Sequence, residues 1–192
     1  SSIASQERAQ RVANKLLMPE SFTGWGIRTL STDSALYNPI SYHNCSVWPH
    51  DNAIIALGLG RYGFRREASL IFRGMFEAAS RLDLMRLPEL FCGFARRRLG
   101  APTLYPVACM PQAWASAAPY AFLEACLGLH CDYARREVHF RNPHLPAFIE
   151  ELHLRNLAIA GVSADILIRN ADGEISVTAE SGEADIAVRL SK

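Results

Sequence analysis

Residues 112–129, QAWASAAPYAFLEACLGL, decide how the chain reads. The run is nearly all apolar, is interrupted only by Pro119, and closes at Gly128, a residue type that accepts the left-handed backbone of a helix end. A helix that is apolar all round is expected to be buried on all sides. Before this run the apolar residues recur at helical spacing. After Glu137 they recur at every second position. The change of period divides the chain into residues 1–133, rich in helix, and residues 134–192, a small C-terminal antiparallel β module.

Working back from residue 112, three further helices are expected. Gln6–Leu17 carries Val12, Leu16 and Leu17 on one face and stops at Pro19. Asp51–Arg61 buries Ile54, Ile55 and Leu57–Leu59 and closes at Tyr62-Gly63. Arg65–Leu84 places Ala68, Ile71, Phe72, Met75, Phe76 and Ala79 at helical spacing. The short loop between the last two makes them an antiparallel hairpin. Residues 20–48 and 85–111 are long loops with glycines, prolines and many aromatics, a composition that points to function. Long helices alternating with such loops are the layout of a helical toroid. Working forward, Leu152–Val162 reads as one segment of strand character. Ala164–Arg169, Ile175–Ala179 and Asp185–Leu190 read as further strands, with a hairpin turn at Asp172-Gly173. A module of roughly 50 residues of this kind needs packing against something else.

Composition excludes several classes. The 192 residues include 20 Lys+Arg against 19 Asp+Glu, a net charge of +1, with no basic excess for a nucleic-acid binder. No apolar run approaches the ~18 residues of a membrane span, and the polar residues 1–13 show no signal-peptide layout. Cys45, Cys92, Cys109, Cys126 and Cys131 form neither a disulfide framework nor a CxxC metal pair, as expected of free thiols in a reducing cytoplasm. The chain begins at Ser1 without an initiator Met, as a processed piece would.

Three loop motifs carry the chemistry: residues 24–31 (GWGIRTLS), residues 42–52 (YHNCSVWPHDN), and residues 87–91 (LPELF) followed by residues 110–115 (MPQAWA). Pro49 sits just before a helical turn. Asp51 or Asn52 could accept hydrogen bonds from its free N–H groups, so Asp51 reads either as an N-cap or as part of a rigid platform with Trp48 and His50. Such a platform suits a sugar, which wants an aromatic face for its C–H surface and planar polar groups for its hydroxyls. Glu89 lies in an otherwise apolar loop. It reads either as an acid or base with a desolvated, raised pKa, or as a solvated residue pairing with Arg86, Arg96 or Arg97. Trp25 is either core or site, and Arg28 either site or loop tie. The spacing of His43, Cys45 and His50 matches no tight metal-ligand pattern, and no metal or cofactor is expected.

In their order these motifs resemble the C-terminal part of the amylo-α-1,6-glucosidase (glycogen debranching enzyme) group of six-hairpin glycosidases, across most of residues 20–130. The run from Leu145 to Leu154 looks like the tail of bacterial debranching-enzyme-related proteins. The resemblance implies part of an (α/α)₆ toroid acting by inversion on α-glucosidic linkages of glycogen-type glucans. It implies Glu89 as catalytic base, and Trp25, Arg28, His43, Trp48, His50, Asp51, Gln112 and Trp114 as substrate-binding residues. The position of Cys45 is usually Gly in this motif. No segment matches the group's general acid, an Asp from the earlier half of the toroid, and inversion needs two carboxyls roughly 6.5–9.5 Å apart. A twelve-helix toroid at ~12 residues per helix also needs more chain than this. The expectation is therefore a portion of a larger cytoplasmic enzyme, or a short relative, whose partners are an α-glucan and either its own copies or a missing N-terminal half. The alternative is a non-catalytic carbohydrate-binding or self-associating module; a helical scaffold with no sugar function is the third.

Overall fold

A computed structural model describes residues 3–171, 173–181 and 186–191. Among these the chain runs helix first and sheet second, with four α-helices followed by two three-stranded sheets. The toroid expectation is overturned: one helical hairpin with a third helix packed on it is not a ring of helix pairs. Among the described residues no helix is long and apolar enough to cross a membrane.

Helix α1 (Gln6–Leu16) starts where the Ser5 hydroxyl accepts a hydrogen bond from the Arg8 N–H. Its inner face is Ala9 and Ala13 with Leu16 alongside, and Val12 is outside, one step off the expected stripe. Helix α2 (Pro49–Arg61) begins two residues before Asp51, with Pro49 in its first turn, where the missing proline N–H costs nothing. Asp51 is therefore inside the first turn rather than at the cap, and Trp48 is the cap residue. Small residues, Ala53, Ala56 and Gly60, face inward, while Ile54 faces solvent. The reason is close approach: a Cβ at Gly60 would lie 2.8 Å from the Ala125 carbonyl oxygen. Helix α3 (Arg65–Ala79) packs Ala68, Ile71, Phe72 and Met75 as expected but ends earlier; a single 3₁₀ turn, Asp83–Met85, follows.

Helix α4 (Ala113–Leu127) closes at Gly128, φ +58°, with the Gly128 N–H on the Glu124 carbonyl. It is not buried on all sides. Ala115, Ala118, Phe122, Ala125 and Cys126 face the core, but Trp114 and Tyr120 are 52% and 77% exposed. The other three α-helices among the described residues leave these two side chains uncovered.

The β region begins earlier than the period change indicates, and it is two sheets. Strands β1 (Leu129–Asp132) and β2 (Glu137–Arg141) form an antiparallel hairpin directly after α4. Strand β6 (Ala187–Ser191) then adds to β2 in parallel, which corrects the purely antiparallel expectation. Leu152–Val162 is not one segment: β3 (Glu151–Ile159) turns at Ala160-Gly161 into β4 (Val162–Ala171), and β5 (Glu174–Ser181) pairs with β4. Gly161, φ +81°, takes the turn that its missing side chain permits. Asp172 of the expected hairpin turn and Asp185 of the expected last strand lie outside the described residues. One buried cluster runs through both layers, from Ala13 and Phe122 to Phe140, Ile166 and Ile186.

Arg65 fastens the layers. Its half-buried guanidinium donates to the carbonyls of Gly60 (2.9 Å), Ala125 (2.8 Å) and Arg141 (2.7 Å), one each from α2, α4 and β2.

Candidate functional site

The motif loops are joined by single β-bridges into a narrow ribbon: Arg28 with Val47, Val47 with Phe91, and Phe91 with Leu104. Val47 and Phe91 exchange both backbone hydrogen bonds, at 2.9 and 3.0 Å. This exchange brings residues 42–50 against Glu89. Asn52, fully buried, locks the ribbon to α2: its Oδ1 accepts from Ile27 N–H (2.6 Å) and its Nδ2 donates to the Ile27 and Trp48 carbonyls. Asn52 is thus a brace between loop and helix, where a cap was expected.

On this base the rings of residues 42–50 meet the start of α4. His50 stacks face to face on Trp114 (4.2 Å, 5°), and Trp48 meets His50 edge to face at 5.6 Å. Tyr42 stands edge-on to Trp48 (4.8 Å), His43 (4.7 Å) and Tyr105 (5.5 Å). Trp48 is buried with its Nε1–H on the Ser46 hydroxyl (2.8 Å), so the ring is held from both sides. Trp114 leaves much of its surface to solvent. The result is a shelf with a fixed back and an open front.

Glu89 lies beside Tyr42, 9% exposed. The Tyr42 hydroxyl donates to its Oε1 at 2.7 Å, and the Cys109 N–H donates to its Oε2 at 3.1 Å. These two donors outweigh desolvation and hold the carboxyl below the usual range; a protonated His50 acts in the same direction. The expectation of a raised pKa is corrected: the pocket stabilises the carboxylate. Nor does Glu89 pair with Arg86, Arg96 or Arg97; Arg96 goes instead to Glu77. The same bond to Glu89, with desolvation, pushes the Tyr42 hydroxyl up to about 12, so Tyr42 remains the donor. The Asp51 carboxylate lies 3.2 Å from His50 Nε2, while His50 Nδ1 is buried without a hydrogen-bond partner among the described residues. Gln112 stands at the head of α4, where its Oε1 accepts from the Ala113 N–H at 3.0 Å.

Trp25 and Arg28 are elsewhere. Trp25 is 2% exposed and lies under the guanidinium groups of Arg96 (4.3 Å) and Arg81 (5.3 Å). Arg28 is buried, with Nε on the Gly93 carbonyl (2.8 Å) and Nη1 on those of Pro19 and Glu20. These contacts make Trp25 core and Arg28 a loop tie.

Of the nine sequence candidates, the structure gathers Glu89, His43, Trp48, His50 and Trp114 around one point. Asp51 joins through His50. Tyr42 and Tyr105 belong to the same cluster and were missed. Tyr42 opens the second motif, next to His43, so its signal was present; Tyr105 sits in a loop with no pattern to mark it. Among the described residues no group of three or more His, Cys, Asp or Glu could hold a metal ion. In comparisons with known proteins, no family model matches the chain and no curated protein matches it.

Proposed function

We propose that this protein binds an α-glucan on the Trp48–His50–Trp114 shelf and supplies the base of an inverting glycoside hydrolase, as its motifs' resemblance to amylo-α-1,6-glucosidases implies. The observation that carries this reading is the Glu89 carboxylate, bound through both oxygens and kept ionised beside an open aromatic stack. A base must be deprotonated to take a proton from water. Tyr42 and the Cys109 N–H leave lone pairs on Glu89 for that water while fixing the direction of the carboxylate. The shelf offers the C–H face of a pyranose an aromatic partner at Trp114. Asp51, half-exposed beside His50, offers hydrogen-bonding oxygens at its edge.

In the proposed reaction, water loses its proton to Glu89 and attacks the anomeric carbon. The glycosidic bond breaks, and the leaving oxygen takes a proton from a general acid on a further segment or partner chain. The free thiols fit a reducing compartment, and we place the protein in the cytoplasm on that ground.

The test is release of reducing ends from an α-1,6-branched glucan, with maltooligosaccharide binding followed by calorimetry on the same samples. In the complete enzyme, with the acid-bearing segment present, Glu89→Gln is expected to lower kcat by about 10²–10⁴-fold with binding kept. A Glu89→Gln protein with near-normal kcat removes Glu89 from the mechanism. Binding without turnover when the acid-bearing segment is also present selects the non-catalytic carbohydrate-binding reading, and no binding removes both.

A further inference from the structure

A second concavity of the described molecule shares no residue with the aromatic shelf. It is a groove of about 770 Å³ where the outer face of α3 meets the linker after β2 and residues Asn170, Ala171 and Gly173. That volume falls in the range of small-molecule sites, and a junction between two layers is where such sites form. From α3 the groove receives Arg66, Ser69 and Arg73, one helical face at spacings of three and four. From the other wall come His144 and Asn170, and the apolar floor includes Leu70, Leu145 and Pro146.

Among the described lining residues the arginines outnumber the acids. Arg66 has no ion-pair or hydrogen-bond partner among the described residues. Arg73 shares the single carboxylate of Glu77 with Arg96, which leaves its terminal nitrogens free to bind. Glu150 is the one acid among the described lining residues, and Glu67 lies near His144 from the helix side. Two guanidinium groups flanking a hydroxyl form a recognition set for a phosphate, which Arg binds through paired N–H donors. No lining residue is aromatic, so a nucleobase would find nothing to stack on. An apolar floor with an amide at its edge fits a sugar ring.

We infer that this groove is a binding site for a sugar phosphate, with the phosphate on Arg66, Ser69 and Arg73 and the sugar over Leu145 and Pro146. The inference does not depend on the glucan reading. Burial, with the nearby Arg66 charge, holds the His144 imidazole below its ordinary pKa. A bound dianion offsets Arg66, so ligand binding raises the His144 pKa, and the imidazole resonance reports it.

The experiment is calorimetry of the full chain with glucose 1-phosphate, inorganic phosphate and glucose, alongside an NMR titration of His144. Glucose 1-phosphate is expected to bind more tightly than either of its halves. Arg66→Ser and Arg73→Ser should each weaken it about tenfold, the effect of losing one charge-assisted contact, while Trp114→Ala leaves it unchanged. Arg66 is exposed, so its variant keeps the fold. Binding that survives both arginine substitutions overturns the site. So does loss with Trp114→Ala, which would put the ligand on the shelf instead. Inorganic phosphate binding as tightly as the ester, or no binding at millimolar ligand, overturns the sugar-phosphate assignment.

Discussion

Two tryptophans from the motif loops end in opposite situations. Trp25 lies sealed between α3 and two arginines, so close that a Cβ at Gly74 of α3 would sit 2.5 Å from the Trp25 carbonyl oxygen. Trp114 stands at the open start of α4, stacked on His50 and facing solvent. Both had the same standing in the sequence, an aromatic in a motif. The difference teaches that a motif mixes two kinds of residue: those that build a loop and those the loop presents. Trp25, Arg28 and Asn52 build. Trp48, itself buried, backs the shelf, and Tyr42, His50, Glu89 and Trp114 are presented.

The strongest way to break this division is Trp25→Ala. It should cost about 3–5 kcal/mol of unfolding free energy, as expected for a buried tryptophan, seen as a lower denaturant midpoint. A loss below about 1 kcal/mol would move Trp25 out of the core. Trp114→Ala is the mirror case. Stability should change by less than about 0.5–1 kcal/mol, because the ring is half in water, while maltooligosaccharide affinity falls about tenfold, the measure of one lost stacking partner. Equal affinity in both proteins would end the case for the shelf.

Tyr42→Phe sharpens the presented side. The Glu89 pKa is depressed, so its stabilising contribution is present above the unfolded carboxylate value and is lost as pH falls through the lower folded value. Removing the Tyr42 hydroxyl raises the folded pKa. The acid limb of the kcat/KM profile then moves to higher pH, with the basic limb unmoved. A profile that does not shift would mean Tyr42 does not orient the base.

The smallest effect is expected at Cys45. It is buried at φ +128°, in the region that favours glycine, with its Sγ 3.7 Å from the Gly93 carbonyl. The resemblance puts Gly at this position, and the backbone supplies the reason. Cys45→Gly should relieve about 1 kcal/mol of strain and lose a similar amount of thiol packing, leaving the midpoint nearly unchanged. A large loss would show that the thiol is needed by the ribbon.

Much of this was legible in the chain. Helical spacing placed α1, α2 and α4 to within two residues and ran α3 five residues too far, and Gly128, in the left-handed region, marked the end of α4. Motif content marked most of the residues that cluster about Glu89. Other features were not legible. The Ile54 side chain reads as core, yet α2 turns Ala53, Ala56 and Gly60 inward, since the helix partner approaches too closely for larger groups. The parallel pairing of β6 on β2 joins residues some fifty positions apart, from Glu137↔Ala187 to Arg141↔Ser191, and no local signal carries it.

The sequence by itself determined the helices, the order of helix before sheet and the residue types available for chemistry, because helical period, caps and turns are local properties. Only the tertiary structure decided how many helices share one core, that α4 keeps an uncovered face, and that Glu89 is held as a carboxylate. Those outcomes depend on which donors and which surfaces arrive from distant positions. A hydroxyl 47 residues away and an N–H 20 residues away reverse the effect of desolvation on one carboxyl, and no reading of its neighbours in the chain contains them.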